Sequence, residues 1–328
     1  MLCRPHSLIA AALLLPIVAS AAEPAGWQTV ETEGRPTARH EAALVGVGAK
    51  LLLLGGRRVN PTDMLDTESL TWTAAPPTPI ELHHVQPVVL DGTVYLLGAM
   101  TGGFPTETPL EKIITFDPAA GRYAIGEAIP EPRRRGGVGA VAHDGRIYLV
   151  GGIVNGHLGG SQPWLDRYDP ATGDWEILPD APHARDHFQA AVIDGLLYAA
   201  GGRRTADGRF FEDCEPVVDV FDIAAGRWLD PADCPRLPTP RAGGMTAAVG
   251  GRLVVAGGES GTQVAAHSEV EAYDPATGRW QTWPPLRQGR HGTGLVVVGD
   301  RLYVASGCGN RGGSPELHTT ERLALPIE

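Results

Sequence analysis

Residues 273–280 read YDPATGRW, and residues 168–175 read almost the same phrase, YDPATGDW. Looser copies end at Tyr123 and Trp228, and a more divergent one, LDTESLTW, ends at Trp72. The closing aromatic residues at 72, 123, 175, 228 and 280 are separated by 51 to 53 residues. A fixed period of this length indicates an array built from one repeated supersecondary unit.

Each unit reads as four short strands. An apolar run that ends in two small residues occurs six times, as LLLLGG, VYLLGA, IYLVGG, LYAAGG, LVVAGG and LYVASG. Such runs are typical of buried strands, and the two-residue turns before them, such as Asp144-Gly145, are typical of tight hairpins. The repeated phrase predicts a second hairpin, which turns at Asp-Pro-Ala-Thr-Gly. Two hairpins give a four-stranded antiparallel blade.

The paired glycines, the aromatic-Asp-Pro turn and the tryptophan at this spacing resemble kelch repeats. The resemblance covers nearly the whole chain and implies an all-β fold, a six-bladed kelch β-propeller. Only five phrases precede the C-terminus, so we expect Trp27, in AGWQTV, to mark an N-terminal strand that completes the last blade. Such a strand closes the ring and removes an exposed sheet edge.

Residues 1–21 predict a secretory signal peptide. Arg4 precedes an apolar run over residues 8–18, and Ala19-Ser20-Ala21 is a small-residue cleavage site. We therefore expect a single propeller over residues 22–328 and a periplasmic or secreted protein with no membrane association after the signal is removed. An uncleaved membrane anchor is the alternative.

One face of the propeller is expected to carry the function, because the loops after the glycine pairs differ in length and chemistry while the opposite turns are stereotyped. The resemblance implies that an arginine just before the first strand of a blade lines the mouth of the central channel. Further arginines follow the glycine pairs on that face, and His83-His84 is expected to replace the arginine in blade 2. The candidate ligand-binding residues are Arg39, Arg135, Arg185, Arg241, Arg290, Arg57, Arg203, Arg311, His83, His187 and Phe210.

The chain has a net charge of −11, yet its positive charge is nearly all arginine. Guanidinium groups around one opening favour an anionic small molecule or acidic sugar, and Phe210 adds apolar surface for a sugar ring. A protein partner is the other expectation. The structural alternative is that these arginines bind loop carbonyls across neighbouring blades and bind no ligand. An acidic chain without a lysine-rich tract is not expected to bind nucleic acid.

The cysteines predict one disulfide. Cys214 and Cys234 lie about ten residues on either side of the hairpin turn in blade 4, so we expect them to pair across its third and fourth strands, leaving Cys308 unpaired. Several histidines adjoin the channel arginines and are explained without a metal. The sequence therefore predicts no metal site and no cofactor.

An enzyme is the alternative to a binding protein. Glu259, in GGESG, resembles the loop glutamate of the exported sialic-acid mutarotases, which are kelch enzymes. His267 stands near the place of that family's arginine, so the resemblance implies Glu259 and His267 as an acid–base pair of a periplasmic sugar epimerase or mutarotase. Our leading interpretation remains a non-enzymatic propeller that binds its ligand at the mouth. A noncatalytic protein-interaction scaffold is the third possibility.

Overall fold

The computed structural model describes residues 26–325, and the signal peptide predicted for residues 1–21 lies outside the described residues. The chain forms six four-stranded antiparallel sheets, which confirms the predicted all-β, six-bladed propeller. Two single-turn 3-10 helices, Glu131–Arg133 and Gly156–Leu158, lie in loops. Within residues 26–325 no helix has the length and apolar character needed to cross a bilayer.

We name the strands of each blade a to d, from the propeller axis outward. In blades 1 to 3 they are Ala42–Val47, Lys50–Gly55, Thr62–Asp66 and Thr71–Ala75; Val88–Leu90, Thr93–Leu96, Lys112–Asp117 and Arg122–Ala128; and Gly139–His143, Arg146–Val150, Leu165–Tyr168 and Trp175–Leu178. In blades 4 to 6 they are Gln189–Ile193, Leu196–Ala200, Asp219–Asp222 and Arg227–Trp228; Met245–Val249, Arg252–Ala256, Val270–Asp274 and Arg279–Trp283; and Val296–Val298, Arg301–Ala305, Thr320–Ala324 and Gln28–Thr29.

The core lies between neighbouring blades. The a strands contact one another around the axis, and the apolar side chains of each sheet pack against those of the next. Strand b is almost fully buried in five blades; Leu51, Leu52, Leu53 and Leu54, for example, have 0% exposure. In blade 2, Thr93 and Tyr95 of strand b are partly exposed. Burying apolar area at about 25 cal/mol per Å² is the main stabilising term for such an array.

The N-terminal strand closes the ring as predicted. Gln28 and Thr29 pair with Arg322 and Glu321, so strand d of blade 6 comes from the opposite end of the chain. Trp27, directly before this strand, is only 4% exposed and packs into the cluster between blades 5 and 6. The two ends of the propeller therefore share one sheet, and no blade is left with an unpaired outer strand.

The repeated phrase is structural. Its closing tryptophan lies against its opening aromatic residue, with ring centroids 4.8 Å apart for Tyr168 and Trp175 and 5.3 Å apart for Tyr273 and Trp280. The Asp274 carboxylate accepts a hydrogen bond from the backbone N–H of the residue two positions later, which fixes the turn.

The structure corrects the predicted disulfide, because Cys214 and Cys234 are both free cysteines. Strands c and d of blade 4 pair Phe221 with Trp228, and the next bridge joins Val217 to Arg236. Between these two pairs the chain after strand d contains four more residues than the chain before strand c. The extra residues form a turn at 230–234 that carries Cys234 into the core between blades 4 and 5. Cys214 instead lies in the loop after strand b, where its thiol donates to the carbonyl of Phe211.

Candidate functional site

The loops after strand b meet over one end of the central channel and enclose a cavity of about 620 Å³, which we call the mouth. Every blade contributes at least one lining residue. The lining residues are His40, Glu41, Arg57, His84, Phe104, His157, Arg203, Phe210, Phe211, Glu259, Gly312 and Gly313. Its volume falls in the range of small-molecule sites, roughly 300–1,000 Å³.

The floor of the mouth is a closed ring of backbone hydrogen bonds, which we call the hub ring. In five blades, one residue located before strand a donates its N–H to the carbonyl of its counterpart in the preceding blade at 2.6–3.3 Å. In blade 1 the counterpart is Glu41, which accepts from His84, and the next residue, Ala42, donates to Gly292 and completes the circle. All six have left-handed backbone with φ between 52° and 66°. These residues are Glu41, His84, Gly137, His187, Gly243 and Gly292.

Three hub-ring residues have side chains although the conformation favours glycine. A left-handed residue with a Cβ costs roughly 1–2 kcal/mol relative to its ordinary backbone conformation, and Glu41, His84 and His187 all adopt it. The other three blades satisfy the same backbone geometry with glycine. Residues kept in such conformations concentrate at functional sites, so these three side chains mark the centre of the candidate site.

The five arginines before the a strands do not line the mouth, which corrects the prediction from the sequence. Arg39, Arg135, Arg185, Arg241 and Arg290 are 0–2% exposed. Each guanidinium points into its own blade and donates to the carbonyl of the first residue of the glycine pair at 2.5–3.0 Å. The structural alternative is therefore right that these arginines bind carbonyls, but wrong that the bonds reach neighbouring blades, because each bond lies inside one blade.

Each buried arginine also forms an ion pair with a carboxylate on strand c, at N···O distances of 2.5–2.7 Å. The partners are Asp63, Asp166, Asp219, Glu271 and Glu321. Each carboxylate residue faces the strand b residue two positions before the glycine pair. Burial is the largest influence on the pKa of Arg135 and lowers it to about 10, while Asp166 opposes this effect. The arginine thus remains charged at neutral pH.

Blade 2 replaces the whole ion pair by two apolar residues. Ile114 faces Leu96 at the register where the other blades place the carboxylate. Leu82 occupies the arginine position, because its carbonyl lies against Gly55 as the carbonyl of Arg185 lies against Gly151. Both side chains belong to the core between blades 1 and 2. The sequence predicted His83-His84 at this position, but in the structure these two residues follow Leu82 along the chain.

The arginines after the glycine pairs lie at the mouth and are mostly neutralised there. Arg57 donates to Glu107 at 2.6 Å, and Arg203, with a side chain 2% exposed, donates to Glu259 at 2.5 Å. Arg311 lies on the rim, 5.5 Å from the centroid of the Phe211 ring. Among the described residues, the arginines after the glycine pairs therefore do not give the mouth the excess of positive charge that the sequence predicted.

Glu41, Glu259 and His291 form a buried charged group beside the cavity. His291 Nε2 lies 3.4 Å from Glu259, and its Nδ1 lies 3.7 Å from Glu41. Burial lowers the pKa of His291, but Glu259, a hydrogen bond to Cys308 and Glu41 outweigh it and raise that pKa to about 10. Burial raises the pKa of Glu41, but the charge of His291, with smaller contributions from other neighbours, outweighs burial and lowers that pKa to about 2. His291 is accordingly an imidazolium and both glutamates are carboxylates at neutral pH.

Three more histidines meet at the opposite side of the mouth. His84, His157 and His187 come from blades 2, 3 and 4, and one ring nitrogen of each lies within 4.8 Å of the others. Their ring centroids are 4.7–5.4 Å apart. These are the residues of the described chain that could hold a metal ion. Burial lowers the pKa of His84 and of His187, so both are neutral at pH 7.

The remaining candidates divide between the mouth and its surroundings. Phe210 lines the cavity, with its ring centroid 5.3 Å from that of Phe104. His83 lies behind the wall, where its Nε2 bonds the carbonyl of Gly102. Glu259 lines the cavity, but His267 does not and bonds Ser260 and Glu269 instead. The structure therefore does not bring Glu259 and His267 together as a pair facing the cavity.

The fold and the mouth together define a six-bladed propeller with a loop-lined polar cavity on its axis. The family model "KLHDC2/KLHL20/DRC7 Kelch-repeats domain" matches residues 126–309, which is more than half of the chain. The chain belongs to the kelch-repeat family, as the repeated phrase predicted.

Similar proteins occur in fungi and animals. Kelch-like protein terF of Aspergillus terreus is 28% identical over 87% of this chain and 65% of its own length. Human Kelch-like protein 38 is 25% identical over 78% of this chain and 42% of its own length, so this chain spans less than two thirds of these relatives. The solved structure of YjhT has a TM-score of 0.73 at 15% identity and covers 88% of this chain and 95% of its own, which shows a shared fold.

Proposed function

We propose that this propeller binds a small hydroxylated molecule of the saccharide type in its mouth. The observation that carries the proposal is the hub ring, in which Glu41, His84 and His187 keep side chains at positions that favour glycine. Glu41 and His84 line the cavity, and the His187 ring lies 4.7 Å from that of His84. A binding role accounts for side chains whose backbone conformation is itself unfavourable.

The charges of the mouth favour a neutral or weakly charged ligand over a strongly anionic one. Glu41, Glu107 and Glu259 are balanced by Arg57, Arg203 and the protonated His291. Carboxylates accept hydrogen bonds and guanidinium and imidazolium groups donate them, so a polyol meets both kinds of partner within one cavity. The anionic sugar expected from the arginine count becomes the less favoured form of this proposal.

One wall of the mouth is apolar. Phe104, Phe210 and Phe211 form a continuous aromatic row, with neighbouring centroids 5.3 and 6.4 Å apart. The C–H face of a sugar ring packs on such a surface while its hydroxyls reach the polar side. A cavity of about 620 Å³ accommodates one or two sugar rings.

Thermal shift followed by calorimetry tests this proposal. Neutral monosaccharides and disaccharides, uronates and sialates are screened against the full chain, and the affinity of any ligand is remeasured with Phe210→Ala. We expect about a tenfold loss, the equivalent of roughly 1.4 kcal/mol of lost ring contact. Ile177→Ala is the matched control, because Ile177 is 68% exposed on a d strand outside the mouth. Equal losses in both variants, or no binding by any sugar, would refute the proposal.

Protein binding is the second candidate, favoured by the kelch-like relatives and by Phe104, which is 55% exposed at the rim. An exposed aromatic residue surrounded by charged groups is a common centre of protein contact. In this case Phe104→Ala weakens capture of the partner, while the sugar screen gives no thermal shift. The acid–base alternative with Glu259 predicts turnover of a bound sugar that Glu259→Gln abolishes without loss of binding.

We further propose that the protein is exported, on the strength of the apolar run at residues 8–18 and the small-residue site after it. N-terminal sequencing of protein from the periplasm or medium should begin at Ala22. Cytoplasmic accumulation with an intact N-terminus would contradict export.

A further inference from the structure

The three histidines of the mouth, His84, His157 and His187, are held in one common orientation that sugar binding does not require. In all three rings Nδ1 is already engaged: that of His84 lies 2.6 Å from Nδ1 of His83, that of His157 lies 3.0 Å from Glu107, and that of His187 bonds Asp186. The unengaged atom of each ring is therefore Nε2. The cluster presents three nitrogen lone pairs from three separate blades.

One of these nitrogens is buried without a hydrogen bond. Among the described residues, His187 Nε2 has no partner although its side chain is only 2% exposed. An unpaired polar atom buried in a protein is destabilising by roughly 1–3 kcal/mol, so it calls for a specific partner. A metal ion held by His84, His157 and His187 supplies that partner.

The groups behind the rings have the chemistry of an outer ligand shell. A metal-binding histidine usually gives its second ring nitrogen to a carboxylate, which fixes the tautomer and strengthens the ligand. Glu107 does this for His157 and Asp186 does it for His187. Asp186 is held in turn by Ser161 and Thr205, so the His187 ring is fixed through two layers of hydrogen bonds.

The backbone supports the same site from three directions. His84 and His187 occupy left-handed hub-ring positions, which direct them to the axis. His157 lies in the 3-10 helix Gly156–Leu158 in the loop of blade 3. Gly156 makes this approach possible, because a Cβ there would lie 2.7 Å from the backbone nitrogen of Glu107.

The local charge accommodates a cation. Three carboxylates contact the cluster, from Glu41, Glu107 and Asp186. The nearby guanidiniums of Arg57 and Arg203 are paired with Glu107 and Glu259. Glu41 Oε2 lies 3.5 Å from His84 Nε2, close enough to become a fourth ligand after a small movement.

We propose that His84, His157 and His187 bind a divalent transition metal of the zinc type at the floor of the mouth. Three imidazoles with a nearby carboxylate suit Zn²⁺, Co²⁺, Ni²⁺ or Cu²⁺ rather than Mg²⁺ or Ca²⁺. Metal–nitrogen bonds of about 2.0–2.1 Å need the three nitrogens about 3.4 Å apart, so the rings close by no more than about 1.5 Å. This inference rests on the histidines and the groups that hold them, and goes beyond the sugar proposal.

Cobalt spectroscopy and zinc calorimetry on the chelator-treated full chain test the site. We expect one equivalent of Co²⁺ to give the visible absorption of a four- or five-coordinate nitrogen site, and Zn²⁺ to displace it. His187→Gly should weaken Zn²⁺ binding by at least about 100-fold, and glycine suits the left-handed backbone, so the variant should fold. Asp186→Asn should weaken it by about 10–100-fold with one equivalent still bound, because this carboxylate only positions the ligand.

His143→Gln is the control, because His143 is the last residue of strand a in blade 3, lies beside Asp144 and does not line the mouth. Unchanged Zn²⁺ affinity is expected for it. The proposal is overturned if the wild-type chain shows no saturable Co²⁺ or Zn²⁺ binding, or if His187→Gly binds as the wild type does. These measurements contain no sugar, so failure of the metal site and failure of the sugar site are separate results.

Discussion

Replacing Arg185 by leucine and Asp219 by isoleucine together is expected to preserve most of the stability that either replacement alone removes. The two side chains form an ion pair at 2.7 Å with both partners at 0% exposure. Blade 2 already contains the proposed replacement, because Leu82 and Ile114 occupy the same two positions there. The protein therefore contains the same contact in two forms, an ion pair in five blades and an apolar pair in blade 2.

The expected magnitudes follow from the burial of the pair. At 2.7 Å the charges attract by about 6 kcal/mol at an effective dielectric constant of 20, which is largely offset by desolvation. Removing one partner leaves the other charge buried and should cost about 3–5 kcal/mol. The double change leaves the carbonyls of Ala199 and Gly201 without the Arg185 donor, and the backbone N–H and ring of His183 without the Asp219 acceptor. Each buried group left unpaired costs roughly 1–2 kcal/mol. Burial of the introduced leucine and isoleucine side chains stabilises the double variant by a similar free energy.

Urea unfolding of the wild type, both single variants and the double variant gives the coupling energy of the pair. We expect a coupling of at least about 3 kcal/mol. The exposed pair Arg167–Glu176 is the matched control, because its side chains are 38% and 51% exposed and its coupling should stay below about 1 kcal/mol. A double variant as unstable as the sum of the two single changes would falsify the claim that the two pairs are interchangeable.

Three further predictions concern stability and the cysteines. His291 has its folded-state pKa raised to about 10 from 6.5, so its contribution is complete below pH 6.5 and is lost as pH rises to about 10; His291→Gln should flatten that decline in the free energy of unfolding, and an unchanged slope would contradict the pairing with Glu259. Trp27→Ala should cost about 3–5 kcal/mol in the same urea assay if the N-terminal strand closes the ring, whereas a loss below about 1 kcal/mol would show that it does not. Alkylation of purified protein in denaturant, followed by mass spectrometry, should label both Cys214 and Cys234 without prior reduction, and a disulfide-linked peptide would contradict the structure.

The fold was predictable because its signals repeat. The phrase ending at Trp175 and Trp280 is copied with its turn and its aromatic contact, so each copy strengthens the assignment of the others. Ring closure was predictable from the missing sixth phrase and the position of Trp27. Neither inference needed knowledge of side-chain direction.

The roles of the arginines were not predictable in the same way. The sequence places Arg185 next to the mouth, but only the structure shows that its side chain points outward into blade 4 to meet Asp219. A signal was present in the repeat: five blades have an acidic residue on strand c, while the blade without the arginine has Ile114. Comparing the blades position by position would have indicated an ion pair.

The histidine cluster was the hardest feature to predict, because its members come from three blades and share no short motif. His84 and His187 occupy one repeat position that is glycine in three other blades, and this contrast was readable from the sequence. His157 belongs to a loop of individual length, and no repeat position predicts where it points. The disulfide failed for a related reason, since a four-residue shift in blade 4 separates Cys214 from Cys234.

The hub ring separates what holds this molecule together from what it presents to a ligand. Its six links are peptide N–H and C=O groups, which every residue except proline carries, so the circle persists whichever side chain occupies a position. Related propellers can therefore acquire or lose an imidazole or carboxylate at the axis by single substitutions, at the cost of a locally less favourable backbone. The side chains at the centre of such a propeller can therefore differ in chemistry without any change in its architecture.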